Sequence, residues 1–122
     1  MGNGRTRLAL ALLLLLPLIA CSPRMVRDES FRVTIQPEPV VRGKTGQVTI
    51  DAPMDASEVI GVIRVAGSPE FVFAKDAKKR LWYFSGTIPI SPWVRPGTYT
   101  VRIIVKEPPA KPRYAEREVE LK

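Results

Sequence analysis

From residue 31 onward, apolar and polar positions alternate with a period of two, the signature of half-buried strands. Phe31, Val33 and Ile35 alternate with Arg32, Thr34 and Gln36, and Pro37 and Pro39 end this run. After the turn 42–46, Val48 and Ile50 alternate with Gln47, Thr49 and Asp51. Residues 58–65, EVIGVIRV, are β-branched almost throughout and predict a third, more deeply buried strand. A short fourth strand over 70–74 sets Phe71 and Phe73 on one face, and a polar hairpin connection at 75–79 leads into a fifth over 80–88, where Trp82 and Phe84 share a face. Residues 98–106 alternate most cleanly, with Tyr99, Val101, Ile103 and Val105 against Thr100, Arg102, Ile104 and Lys106. The last strand, 114–121, has Ala115, Val119 and Leu121 on one side and Glu116, Glu118 and Glu120 on the other. Trp82, Phe84, Tyr99, Val101 and Ile103 are the expected centre of the core.

The start of the chain breaks this pattern. Residues 8–20, LALALLLLLPLIA, form a continuous apolar run preceded by Arg5 and Arg7 and followed by Cys21, the single cysteine. A spanning helix needs about 20 apolar residues, so this shorter run, interrupted by Pro17, reads as a secretory signal peptide. Leu18-Ile19-Ala20-Cys21 resembles the lipobox of bacterial lipoproteins. That resemblance implies cleavage before Cys21, a fatty acyl (palmitate-type) anchor on its thiol, and export to the cell envelope. Ser22, where an aspartate would hold such a protein at the inner membrane, implies the periplasmic side of the outer membrane. The expected organisation is a signal peptide over 1–20, a lipidated cysteine and tether over 21–30, and one domain over 31–122.

Seven short strands, frequent turns and no helical stretch predict an all-β fold, a two-sheet antiparallel sandwich. The 12 prolines and 8 glycines agree with many turns. The segments Ser85-Gly86-Thr87-Ile88-Pro89 and Arg95-Pro96-Gly97-Thr98-Tyr99-Thr100-Val101 resemble the E strand, E–F loop and F strand of bacterial immunoglobulin-like and fibronectin-III-like modules. The resemblance implies an immunoglobulin-like sandwich in which Tyr99 is a corner tyrosine, its hydroxyl bonded back to the loop. Val48 and Val101 stand near the positions where immunoglobulin domains carry their disulfide.

Composition then narrows the chemistry. The chain has no histidine and, beyond Cys21, no cysteine. Ser–His–Asp and Cys–His nucleophile pairs and the common zinc sites are therefore excluded. Asp51 and Asp55 read as turn residues rather than a calcium site or acid–base pair. The Glu116, Glu118 and Glu120 row reads as cross-strand partners of Arg102 and Lys106. No catalytic residue, metal site or cofactor is expected, and the chain reads as a non-enzyme.

The formal net charge of +7 falls to +5 without Arg5 and Arg7, and it points to attraction toward acidic lipid, polysaccharide or protein. Two surfaces stand out. Ile60 and Val62, beside Arg64, and Ile104, beside Arg102, are expected to point outward from neighbouring strands as an apolar, arginine-flanked patch for an envelope protein partner. Lys75, Lys78, Lys79 and Arg80 form the densest basic cluster, which offers an alternative as a contact for anionic polysaccharide or another polyanion; no nucleic-acid partner is expected. A further alternative is an inhibitor of a secreted enzyme, presented on a loop such as residues 90–95.

Overall fold

The computed structural model describes residues 24–122; the signal peptide expected over 1–20 and the expected lipid-bearing Cys21 lie outside the described residues. The described chain is all-β, with nine strands in two sheets. They are β1 (Val26–Arg27), β2 (Val33–Gln36), β3 (Thr45–Ile50), β4 (Glu58–Ile63), β5 (Phe71–Val72), β6 (Ala74–Asp76), β7 (Leu81–Thr87), β8 (Gly97–Lys106) and β9 (Arg113–Leu121). Sheet one runs β1-β9-β8-β4-β5, and sheet two runs β2-β3-β7-β6.

The period-two pattern explains which faces meet. Val48 and Ile50 of sheet two and Val59, Ile63, Val101, Ile103 and Val105 of sheet one are buried in one continuous core between the sheets. Ring centroids of Phe71 on β5 and Phe84 on β7 lie 4.8 Å apart and lock the two layers together. Packing is close enough to dictate a glycine: a Cβ on Gly61 would sit 2.5 Å from the Phe71 ring. The space left inside, beside Ile35, Val48 and Val101, is about 10 Å³, too small for a ligand.

The expected strands form, with two additions. Residues 26–27, expected within the tether, make the parallel strand β1 against β9 at Val26↔Arg113 and Arg27↔Tyr114. The architecture is therefore not purely antiparallel, and the domain begins before residue 31. The expected fourth strand divides: β5 pairs with β4, whereas β6 pairs with β7 in the other sheet. Phe73, buried between them, carries the chain from one layer to the other. Both devices use short segments in which two or three ladder pairs, not a hydrophobic period, define the partner.

Strand directions put loop 51–57, turn 77–80, loop 107–112 and the chain entering β1 at one end of the molecule. Trp82 Nε1 donates to the carbonyl of Pro53 at 3.0 Å, and the Ser57 amide donates to Lys106 O at 2.8 Å, joining the two sheets there. Loops 37–44, 64–70 and 88–96 and the C-terminal residue Lys122 lie at the opposite end.

Candidate functional site

Sheet one's outer face carries the expected patch, but it is not an open apolar surface. Ile60 lies directly between Val72 on β5 and Ile104 on β8 in the ladder. It is only 7% exposed although it stands outside the inter-sheet core. The expectation that Ile60 is exposed is therefore corrected: β-branched neighbours on both flanking strands shield it, and Val62 and Ile104 are half-buried. Val72 at the sheet edge is the exposed member of this row, at 65%.

The arginines of this face are engaged. Glu116 on β9 accepts from Arg102 and Arg64 through Oε2, at 3.2 and 3.1 Å, and from Arg27 through Oε1 at 3.3 Å. Its side chain is 12% exposed, so one carboxylate gathers three guanidinium groups from three separate segments. Arg102 also lies over the Tyr114 ring, 4.5 Å from its centroid. The expected Glu116–Arg102 pair is present, but Lys106 pairs with Glu58 at 3.0 Å rather than with the glutamate row. Arg113 is held in the same manner, by Glu107 and by Asp28 at 2.8 Å; the Glu107 hydrogen bond is the main cause that pushes its already high pKa further up, burial opposes it, and Asp28 adds a lesser push.

The basic hairpin also separates into two parts. Lys75 lies in β6, where its ammonium sits 5.3 Å from the Trp82 ring centroid. Lys78, Lys79 and Arg80 occupy the turn itself and are exposed, and none forms an ion pair among the described residues. Asp76 fixes the turn by accepting the Lys79 amide at 3.1 Å, and Arg80 adopts φ 56° to close it.

The feature that sequence reasoning placed only within a loop is Trp93, 66% exposed at the far end of the molecule. Its loop is pinned from several directions. Arg42 donates to Pro92 O at 2.7 Å and also to Val94 O. Buried Ser91 donates its hydroxyl to Gly67 O at 3.1 Å, and Tyr99 donates its hydroxyl to Arg95 O at 2.5 Å. Gly67, at φ +81°, underlies the indole so closely that a Cβ there would approach Trp93 Cζ2 to 2.9 Å. One indole surface thus rests on glycine backbone while most of the ring faces solvent. A Trp between a proline and a β-branched residue in a loop signals nothing about direction; only the three-dimensional position of Gly67 does.

Among the described residues, no group of three or more His, Cys, Asp or Glu is placed to hold a metal ion, and no helix is long and apolar enough to cross a membrane. Asp51 accepts the Arg32 amide at 2.7 Å, an ordinary loop-fixing role. No protein-family model matches the chain, and no curated protein matches it in sequence.

Proposed function

We propose that the protein is a lipid-anchored, non-catalytic interaction module of immunoglobulin-like build that presents a partner-binding loop at the cell envelope. Trp93 carries this reading. An indole left two-thirds in water, on a loop fixed by Arg42, Ser91 and Tyr99, is a rigid apolar anchor whose ordering cost is already met before binding. Tryptophan and arginine dominate the energetic centres of protein interfaces. The immunoglobulin-like description is supported by the β2-β3-β7-β6 and β9-β8-β4 strand orders and by the bond from Tyr99 to a carbonyl four residues upstream. The anchor is supported by the apolar run and the Leu18–Cys21 motif.

The test is recovery of cross-linked envelope proteins from cells expressing wild type or Trp93→Ala. Loss of one discrete cross-linked species in the variant, with equal amounts of folded protein, supports the reading; an unchanged profile removes Trp93 from it. Fatty-acid labelling of wild type and Cys21→Ser tests the anchor separately. Binding of anionic polysaccharide is a second reading, favoured by Lys78, Lys79 and Arg80, which are exposed and form no ion pair among the described residues, and steep weakening of such binding by salt is its mark.

A further inference from the structure

We infer that the end of the domain bearing turn 77–80 rests on the anionic headgroups of the same bilayer that holds the Cys21 anchor, so that Trp93 points away from the membrane. This rests on the proposed anchor and adds the orientation of the whole domain.

Three observations converge. The first is reach. β1 begins at Val26, so five residue steps separate it from Cys21. Fully extended they span at most about 18 Å, much less freedom than a tether running to residue 30 would allow. The second is topology. The chain enters sheet one beside β9, at one lateral edge, while turn 77–80 caps the opposite lateral edge of sheet two, β6, at the same end. These two corners are separated by about three interstrand spacings laterally and by the gap between the sheets, roughly 14 Å and 10 Å, or about 17 Å in all, and both lie at the same end, so one flat surface meets both.

The third observation is charge. Arg24, Lys78, Lys79, Arg80 and Lys111 are exposed at this end and form no ion pair among the described residues. The carboxylates around them are mostly engaged. Asp28 and Glu107 hold Arg113, Glu29 holds Arg27, and Glu58 holds Lys106. Asp51 and Asp76 accept backbone amides and Asp55 has no such contact, and these three carboxylates stand without a cation partner among the described residues, against the five unpaired cations. A surplus of positive charge therefore faces the direction from which the anchored chain arrives. Basic groups held within a Debye length of an anionic leaflet are drawn onto it.

The test uses the processed, lipidated full chain in vesicles that contain a headgroup-attached quencher. A fluorophore is placed by Ala77→Cys in the turn or by Ala66→Cys at the opposite end; both positions are exposed. In phosphatidylglycerol-containing vesicles the dye at 77 should be quenched and the dye at 66 should not, and quenching at 77 should fade in pure phosphatidylcholine or high salt. Combining Lys78→Glu, Lys79→Glu and Lys111→Glu should reduce the quenched fraction at 77 about tenfold or more without detaching the protein. Arg80 is left alone because its positive φ is part of the turn.

Equal quenching at both positions, quenching at 66 alone, or indifference to the three reversals overturns the inference. So does transfer of the turn from vesicles onto a soluble anionic polysaccharide of matched charge. Flotation with vesicles in high salt reports the anchor alone. A chain that fails to float but is still quenched at 77 in low salt keeps the membrane contact and loses only the lipid anchor.

Discussion

The two tryptophans sit at opposite ends of the same sandwich-like fold and meet opposite fates. Trp82 is 5% exposed, its indole nitrogen donating to Pro53 and its ring facing Lys75. Trp93 is 66% exposed although its loop is tied down by Arg42 and Ser91. The difference does not follow from rigidity, since the Trp93 loop is hydrogen-bonded to Arg42 and Gly67, both distant in sequence. It follows from what lies beneath each ring. Trp82 belongs to a strand and faces the core with Ile50 as its ladder partner, whereas Trp93 rests on Gly67, a residue with no side chain to enclose it. A buried aromatic holds this end of the fold together; an aromatic propped on glycine is available to something else.

The largest test of that contrast is Trp82→Ala. It should cost about 3–5 kcal/mol, a large share of a stability of roughly 5–15 kcal/mol, read from urea denaturation of the purified chain. A loss below about 1 kcal/mol would be incompatible with a core role. Arg42→Ala comes next. It removes a charged donor from the carbonyls of Pro92 and Val94, and should cost about 1.5–3 kcal/mol. The Trp93 indole resonance should broaden while that of Trp82 stays sharp; broadening of both would mean that the two ends are not independent.

Trp93→Ala should change stability by no more than about 0.5 kcal/mol in the same denaturation assay, because most of the ring is already in water. A cost comparable with that of Trp82→Ala would erase the contrast. The smallest effect concerns acid. The Asp28 carboxyl lies below its ordinary range, chiefly because the Ser30 hydroxyl and amide donate to it and further because of Arg113. A lowered folded-state pKa adds stability that is present above the unfolded value of about 3.9 and disappears as pH falls through the folded value. Asp28→Asn should therefore flatten the acid limb of the stability profile slightly, near the end that holds Trp82 and far from Trp93. An unchanged limb would show that Asp28 contributes nothing to it.

Much of this arrangement was legible as periodicity. The alternation through Tyr99, Val101, Ile103 and Val105 marked β8, and the β-branched run from Glu58 marked β4. Trp82, Val101 and Ile103 are buried as expected, while Phe84 and Tyr99 are half-buried against the core. β1 was not legible, because two residues cannot display a period. Nor was the change of sheet at Phe73, since the Phe71–Phe73 alternation runs on unbroken while the hydrogen-bonding partner changes. Ile60 was assigned to the outer face and belongs there. Its burial depends on Val72, nearby in sequence, and on Ile104, more than forty positions away, and only the ladder shows that they flank it. The turn lysines were legible as a cluster, but the departure of Lys75 to the Trp82 ring needed the register of β6 against β7.

The parallel strand β1 has a mechanical consequence. The Val26 amide bonds to Pro112 O and the Asp28 amide to Tyr114 O, each at 2.9 Å, along an edge that runs lengthwise through the molecule. Tension applied between the chain ahead of Val26 and the Trp93 end would be directed along these strands. It stresses the β1–β9 bonds together in shear instead of opening them one after another like a zipper. The three arginines gathered on Glu116, one of them from β1 itself, brace that seam from the outer face. Two residues that look like spare tether thus become the first part of the fold to bear tension.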